Sequence, residues 1–142
     1  MWKQIENESE LKEFLEIIDF FHDSCIKESK YVSGAFVSDD LFMHPLNDCR
    51  RLSLLFQRQS SIYSTIELEF SGLEYIFLSP IKEIHSCEIQ EATMYFEKNY
   101  IVWCDTFVEG KIDLNCFNGT ILCAKAVRWR ELDNALGNKS FY

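Results

Sequence analysis

Hydrophobic residues recur with a helical period near the N-terminus and with a period of two further along the chain. The helical stripe consists of Leu11, Phe14, Leu15 and Ile18. These positions share one face of an amphipathic helix, because they are spaced i, i+3, i+4 and i+7. Asn7 and Glu10 have the spacing of a capping box. The pattern therefore predicts a helix at about residues 8–20.

Between about residues 24 and 131 the alternation is typical of strands with one solvated face. It is cleanest in TIELEF (65–70), where Glu67 and Glu69 alternate with three large apolar residues. Strands are predicted at 25–37, 51–59, 65–70, 73–79, 88–97, 100–106 and 120–131. Gly34 is interpreted as a bulge and 38–48 as a loop. Ser71-Gly72 is interpreted as a turn, and Lys98-Asn99 as a hairpin turn.

About seven strands with only one strong helix indicate an α+β fold that is mainly antiparallel β, because a parallel sheet needs crossover helices. A sandwich or an incomplete barrel fits this spacing of strands. The 142 residues, of which 47% are hydrophobic, are the size of a single domain with a sizeable core. Residues 132–142 are predicted to be a frayed polar tail.

The formal charge of −9 bears on the class of partner. Nucleic-acid affinity comes largely from Lys and Arg, so binding to nucleic acid is disfavoured. An acidic surface favours a basic protein partner, although acidity also serves solubility alone.

Six cysteines raise the question of disulfides. The opening MWKQIENESE has neither the basic nor the apolar region of a secretory signal. We therefore expect a cytoplasmic protein with reduced thiols. No apolar run reaches about 18 residues, so no transmembrane helix and no membrane association are expected.

His22-Asp23 is the sharpest local feature, because a carboxylate can orient a neighbouring imidazole for acid–base work. The competing interpretation is that His22 ends the helix and Asp23 starts a turn. That interpretation is favoured, since the pair lacks the third group of a triad.

Metal and cofactor motifs are weak. His22 with Cys25, and His85 with Cys87, are not followed by the second matched pair of a structural zinc site. The Asp39-Asp40 segment lacks the ligand spacing of a calcium loop. No phosphate loop, GxSxG, HExxH or CxxC occurs, so no metal, cofactor or catalytic residue is assigned.

Arg128 and Arg130 share one face of the last predicted strand, and Trp129 points to the other face. The two arginines either bind an anion or a partner, or form cross-strand ion pairs with Glu67, Glu69 or Glu131. The excess of acidic residues favours the ion pairs.

Three stretches carry a resemblance, namely FHDSCIKE (21–28), FMHPLNDCRRLSLLFQRQ (42–59) and AKAVRWRE (124–131). They resemble a family of small uncharacterised bacterial proteins over about residues 20–131. The FHD opening followed by alternating strands is also loosely similar to immunity proteins of bacterial polymorphic toxin systems. The second resemblance implies a small, acidic protein that binds a cognate toxin.

Three functional hypotheses follow. The first is a non-enzymatic protein-binding module, an immunity-type inhibitor of a basic toxin in its most specific form. Its acidic surface would include Glu10, Glu13, Asp39 and Asp40. The second is a small enzyme or ligand-binding module that uses the His22-Asp23 corner. The third is a homodimer in which the edge of strand 65–70 pairs across a two-fold axis.

Overall fold

The computed structural model describes residues 1–142. One α-helix and nine strands form in the order β1 (Lys3–Ile5), α1 (Glu8–Ile17), β2 (Ser24–Val32), β3 (Phe36–Val37), β4 (Met43–His44), β5 (Arg51–Arg58), β6 (Thr65–Phe77), β7 (Thr93–Glu97), β8 (Tyr100–Cys104) and β9 (Ile121–Glu131). No helix is long and apolar enough to cross a membrane.

Seven strands form one antiparallel sheet in the order β2-β5-β6-β9-β8-β7, and β1 also pairs with β9. Strand β9 pairs with β6 along one side. On its other side it pairs first with β8, at residues 121–124, and then with β1, at residues 127–129. The predicted α+β fold, mainly antiparallel with one N-terminal helix, is confirmed.

The sheet curls strongly. Strands β5 and β8 are three positions apart, which would separate them by about 14 Å in a flat sheet. However, the ring centroids of Phe56 and Trp103 lie only 5.6 Å apart. The edge strand β2 also reaches the segment that precedes β7, where the Ile89 N–H donates to the Ser24 carbonyl at 2.7 Å. The sheet is therefore an incomplete barrel whose two edges touch at one bridge.

Helix α1 fills the concave side of this sheet with the predicted apolar stripe. Phe14 packs against Trp129 and Phe21, with centroids at 5.0 and 6.0 Å. Asn7 caps the helix, since its Oδ1 accepts the Glu10 N–H at 3.0 Å. The Glu10 carboxylate accepts in return from the Glu6 N–H. The predicted capping box thus forms, except that the Glu10 side chain binds the backbone N–H of Glu6 and not that of Asn7.

The helix ends at Ile17, and a 3-10 turn over Asp19–Phe21 replaces its predicted last residues. Arg58 on β5 secures this end, because its guanidinium donates to the carbonyls of Ile18, Ile62 and Tyr63. The arginine is only 7% exposed, and this burial lowers its pKa. It therefore joins the end of the helix to the loop between β5 and β6.

Two predictions about the middle of the chain are wrong. Ser71-Gly72 is not a turn, since β6 runs unbroken from Thr65 to Phe77. Gly72, at φ +62°, lies just before an irregularity in the pairing with β9 between Leu73 and Tyr75, so the glycine is absorbed within the strand. Residues 65–70 are also central in the sheet, between β5 and β9, so they have no free edge for the pairing that the homodimer hypothesis assigned to them.

Gly34 is not a bulge and 38–48 is not a plain loop. The bulge in β2 lies between Ile26 and Glu28. Gly34, at φ +101°, lies where the chain leaves the sheet, and a Cβ there would come within 2.8 Å of the Cys49 nitrogen. Residues 36–44 form a second, two-stranded sheet of their own.

The convex side of the main sheet is covered by two different segments. Residues 107–117 cover an apolar patch formed by Val102, Cys104, Ile121 and Cys123. Residues 133–142, here called the tail, cover a polar region of β2, β5 and β6. Gln57 donates to the carbonyls of Ala135 and Gly137, and Glu28 accepts the N–H groups of Phe141 and Tyr142. The predicted frayed tail is thus hydrogen-bonded to the sheet.

Candidate binding surfaces

The β3–β4 hairpin, here residues 33–49, projects from the end of the main sheet between β2 and β5. Phe36 pairs with His44, and their rings stack at 4.4 Å with an angle of 8° between the planes. The Ser38 N–H donates to the Phe42 carbonyl, and the Ser38 hydroxyl donates to Asp40. These contacts fix the shape of the hairpin without help from the main core, because none of its residues is buried.

Six large apolar side chains of this hairpin face solvent, with exposed fractions between 52% and 84%. They are Phe36, Val37, Leu41, Phe42, Met43 and Leu46. Leu41 is the most exposed and has a φ of +68°, a conformation that costs a leucine free energy. Groups of large exposed apolar side chains are typical of interaction sites.

The hairpin is also acidic. It contains Asp39, Asp40 and Asp48 and no Lys or Arg. The predicted binding residues Asp39 and Asp40 thus lie at its tip, beside Leu41 and Phe42. Sequence reasoning missed the apolar residues of this site, since their order in FMHPL follows neither the helical period nor the period of two. The available signal was a group of large apolar residues inside an otherwise polar, aperiodic segment.

His22 and Asp23 contact each other, with 3.1 Å between Nδ1 and Oδ1, and both side chains are about half exposed. They follow the 3-10 turn, as the helix-end interpretation predicts. Asp23 lines a cavity of about 590 Å3, but His22 does not. The corner therefore does not bring both side chains to one reaction site.

The cavity beside Asp23 also gathers Cys25, Arg58, His85 and Cys87. Arg58 is engaged by backbone carbonyls, so it is a structural group. Burial raises the pKa of the Cys25 thiol, whereas an activated cysteine nucleophile needs a lowered pKa. No hydrogen bond joins either thiol to His85. The cavity lacks the nucleophile–base contact that covalent catalysis requires.

Glu10 and Glu13 lie on α1, on the other side of the sheet from the tail. The Glu10 carboxylate is occupied by the Glu6 N–H at 2.7 Å. Glu13 is exposed and lines a small cavity with Lys3 and Trp129. Asp39 and Asp40 lie instead in the β3–β4 hairpin. The four predicted acidic residues therefore belong to two separate elements.

Arg128 and Arg130 form the cross-strand ion pairs that the sequence favours. Arg128 binds Glu69, with Nη2 at 2.7 Å from Oε1, and Arg130 binds Glu67, with Nη2 at 2.6 Å from Oε2. These four residues are here called the charged ladder. The indole of Trp2 stacks over both guanidinium groups, each 4.4 Å from the ring centroid.

Glu67 is 3% exposed, although it is a carboxylate. Besides Arg130, its partner is the Tyr142 hydroxyl, which donates to Oε1 at 2.9 Å. Burial, together with this hydrogen bond, raises the pKa of Tyr142 well above its usual range. The charged ladder is thus enclosed by Trp2 from the N-terminal segment and Tyr142 from the tail.

The six cysteines are free thiols. No three His, Cys, Asp or Glu side chains are arranged to hold a metal ion. No protein-family model, curated protein or solved structure matches this chain.

Proposed function

We propose that this chain is a non-enzymatic protein-binding module whose β3–β4 hairpin inserts apolar side chains into a partner. The observation that supports the proposal is the exposure of six large apolar side chains on one projecting element. Exposed apolar groups weaken solubility and contribute nothing to this core, so their presence needs another reason. Burial in a partner supplies that reason, because a few desolvated anchors carry most interface affinity.

The partner that fits best has an apolar groove with a basic rim. The hairpin presents Leu41 and Phe42 directly beside Asp39 and Asp40, and no cation lies within residues 33–49 to neutralise them. Opposite charge at the rim of an interface raises the association rate and selects against acidic partners. The net charge of −9 acts in the same direction over the whole molecule.

The ordered hairpin favours this role. A two-stranded hairpin is marginally stable by itself, but this one has the stacked Phe36–His44 pair and the Ser38 turn contacts. An element that is already shaped before binding loses less conformational entropy in the complex.

The most specific form of the proposal is an immunity-type inhibitor of a basic toxin, which the resemblance of FHDSCIKE and the following strands suggests. An inhibitor of this kind needs an interaction surface and no catalytic site. The hairpin provides the surface, and the thiols and histidines near Asp23 form no catalytic arrangement.

The deciding experiment measures the affinity of the hairpin for a defined partner. The protein encoded directly upstream in the native host is purified and titrated against the wild type and against the double variant Leu41→Ser/Phe42→Ser. Loss of two apolar anchors is expected to raise Kd by about a hundredfold, from about 2 to 3 kcal/mol of lost burial. High salt is also expected to weaken the wild-type complex, because it screens the attraction between opposite charges.

A matched control is Ile84→Ser, since Ile84 is 87% exposed on the segment before β7, outside the hairpin. This variant is expected to bind like the wild type. Equal affinity of the double variant and the wild type for that partner would overturn the proposal. A wild-type dimer that the double variant converts to a monomer would also overturn it, because the hairpin would then bind a second copy.

The immunity-type form has its own test. Co-expression of the wild type is expected to protect cells from a growth-inhibiting upstream protein, and the double variant is expected to lose that protection. Protection by both proteins alike would contradict a role for the hairpin.

A further inference from the structure

The convex side of the sheet carries a second feature that the hairpin does not explain. A cavity of about 500 Å3 opens between the tail and the N-terminal segment, over the charged ladder. Its charged lining comprises Lys30, Arg51, Arg128, Arg130, Glu67 and Glu69. Four cations thus face two carboxylates in a protein whose total charge is −9. Other cavities of 370, 390 and 590 Å3 have no excess of Lys and Arg over Asp and Glu in their linings.

The surplus positive charge belongs to two particular residues. Arg128 and Arg130 are neutralised by their glutamate partners at 2.6 to 2.7 Å. Lys30 forms no ion pair, and its Nζ lies 5.8 Å from the centroid of the Tyr142 ring, a contact that uses none of its hydrogen-bond donors. Arg51 is 45% exposed and reaches Glu69 only at 3.8 Å, beyond hydrogen-bonding distance. Lys30 and Arg51 therefore retain free donors that an anion can use.

These two cations converge because of the strand register. Lys30 pairs with Ser53, and Val32 pairs with Arg51. Lys30 and Arg51 are therefore diagonal neighbours on the same face of adjacent strands, about 7 to 8 Å apart at the backbone. Side chains of this length can reach a single phosphate from that separation. Arginine is particularly suited to phosphate, since its planar fork matches two oxygens.

The walls of the cavity are aromatic. Trp2, one face of which covers Arg128 and Arg130, forms one wall, while Phe141 and Tyr142 of the tail form the other. Phe141 is 42% exposed, so part of its ring is free for contact. Flat heterocycles such as nucleobases stack favourably on aromatic side chains, and this stacking needs no hydrogen bond to the base. A cavity of this volume is also within the usual range for small-molecule sites.

We propose that this cavity binds a nucleoside monophosphate, with the phosphate on Lys30 and Arg51 and the base against Trp2 and Phe141. The phosphate matches the surplus cations on β2 and β5. The base matches the aromatic walls beside them. The lining of this cavity contains no residue of the hairpin, although Val32 and Arg51 flank the hairpin in the sequence.

The test is calorimetric titration of the full chain with AMP at low salt. AMP is expected to bind with one-to-one stoichiometry. Ribose 5-phosphate, which lacks the base, and adenosine, which lacks the phosphate, are each expected to bind at least tenfold more weakly. Removing a charge-assisted contact costs about 1.5 to 3 kcal/mol, so Arg51→Ala and Lys30→Ala should each raise Kd about tenfold or more.

Two controls separate a built site from general electrostatics. Lys12→Ala removes the same charge as Lys30→Ala, but from the exposed face of α1 on the other side of the sheet. It is expected to leave Kd unchanged, and so is Leu41→Ser/Phe42→Ser. An effect of Lys12→Ala as large as that of Lys30→Ala would overturn the proposal, as would absence of AMP binding at millimolar concentration.

A measurement on the wild type avoids dependence on variants. The Trp2 indole N–H is expected to shift on AMP addition in a nitrogen–proton correlation spectrum. The indole N–H resonances of Trp103 and Trp129, whose side chains are buried on the concave side, should not shift. Binding without any shift of Trp2 would place the ligand elsewhere and contradict the proposed site.

Discussion

The β3–β4 hairpin and the charged ladder distribute polarity in opposite ways. The hairpin leaves Leu41 84% exposed, whereas the ladder encloses Glu67 until only 3% of it is exposed. Each arrangement costs free energy in isolation, since apolar groups favour burial and carboxylates favour water. The ladder offsets that cost with its own partners, Arg130 and Tyr142. The exposed apolar side chains of the hairpin have no such partner within the chain, and the proposed binding role rests on this contrast.

The comparison predicts that charged residues with internal partners stabilise the fold far more than the exposed apolar residues do. Stability measurements on variants of both regions, and of the buried Arg58, test this order. Denaturant unfolding provides a common scale, provided that the m-value stays constant.

Arg58→Met is expected to give the largest loss, about 3 kcal/mol in the free energy of unfolding, because three carbonyl groups lose a charged donor. The carbonyls belong to Ile18, Ile62 and Tyr63 and hold the helix end against the loop after β5. Urea unfolding followed by circular dichroism measures the change. Arg50→Met, at a more exposed arginine that contacts Glu74, is the control and should cost less than about 1 kcal/mol. Equal losses in the two variants would show that Arg58 does not act through its buried contacts.

Glu67→Gln is expected to cost about 2 kcal/mol, because Arg130 loses its carboxylate partner in a poorly solvated site. The value is below that of a fully buried pair, since the Arg130 side chain is 33% exposed. Chemical unfolding again reports the loss. The double variant Glu67→Leu/Arg130→Leu should recover part of it, since no unpaired charge remains. A double variant less stable than Glu67→Gln would contradict this account of the ladder.

Acidification is expected to release the tail before the sheet unfolds. Backbone N–H groups, chiefly that of Tyr142, lower the pKa of Glu28 in the folded state. The contribution of Glu28 to tail binding is therefore fully present above its unfolded pKa of about 4.5 and is lost as the pH falls through the lower folded pKa. Hydrogen exchange of the Phe141 and Tyr142 amides measures the release. Glu28→Gln should reduce the protection of these two amides at neutral pH and should abolish the loss of protection on acidification.

The smallest effect is expected in the hairpin itself. Leu41→Ser/Phe42→Ser should change the free energy of unfolding by less than about 0.5 kcal/mol, because neither side chain touches the core. The same urea titration supplies the measurement. A loss of more than about 1 kcal/mol would mean that the hairpin packs onto the body of the protein in solution, which would remove the contrast with the ladder.

Periodicity predicted the parts of the fold in which successive residues alternate between two environments. It placed the helix stripe and strands β5, β8 and β9. It also predicted the pairing of Arg128 and Arg130 with glutamates, because side chains on the same face of paired strands are neighbours.

The features that periodicity missed depend on contacts between distant residues. Strand β1 has only three residues and exists because it pairs with β9, more than 120 positions later. Gln57 donates to carbonyls of the tail and Glu28 accepts its backbone N–H groups, and these contacts leave no pattern in the sequence. Ser71-Gly72 has the composition of a turn, but pairing with β9 before and after the glycine keeps β6 extended. The candidate hairpin was missed for a related reason, because exposed apolar residues have no periodic constraint.

The pairing of β1 with β9 has a consequence for biosynthesis. Residues 3–5 leave the ribosome before residues 127–129 and have no strand partner until those residues follow. The long central strands β6 and β9 are likewise separated by more than 40 residues of chain. Folding through such remote contacts is slow compared with helical proteins of the same size. The nascent chain therefore waits with its helix and early strands exposed, and a chaperone that shields apolar segments is expected to raise its yield.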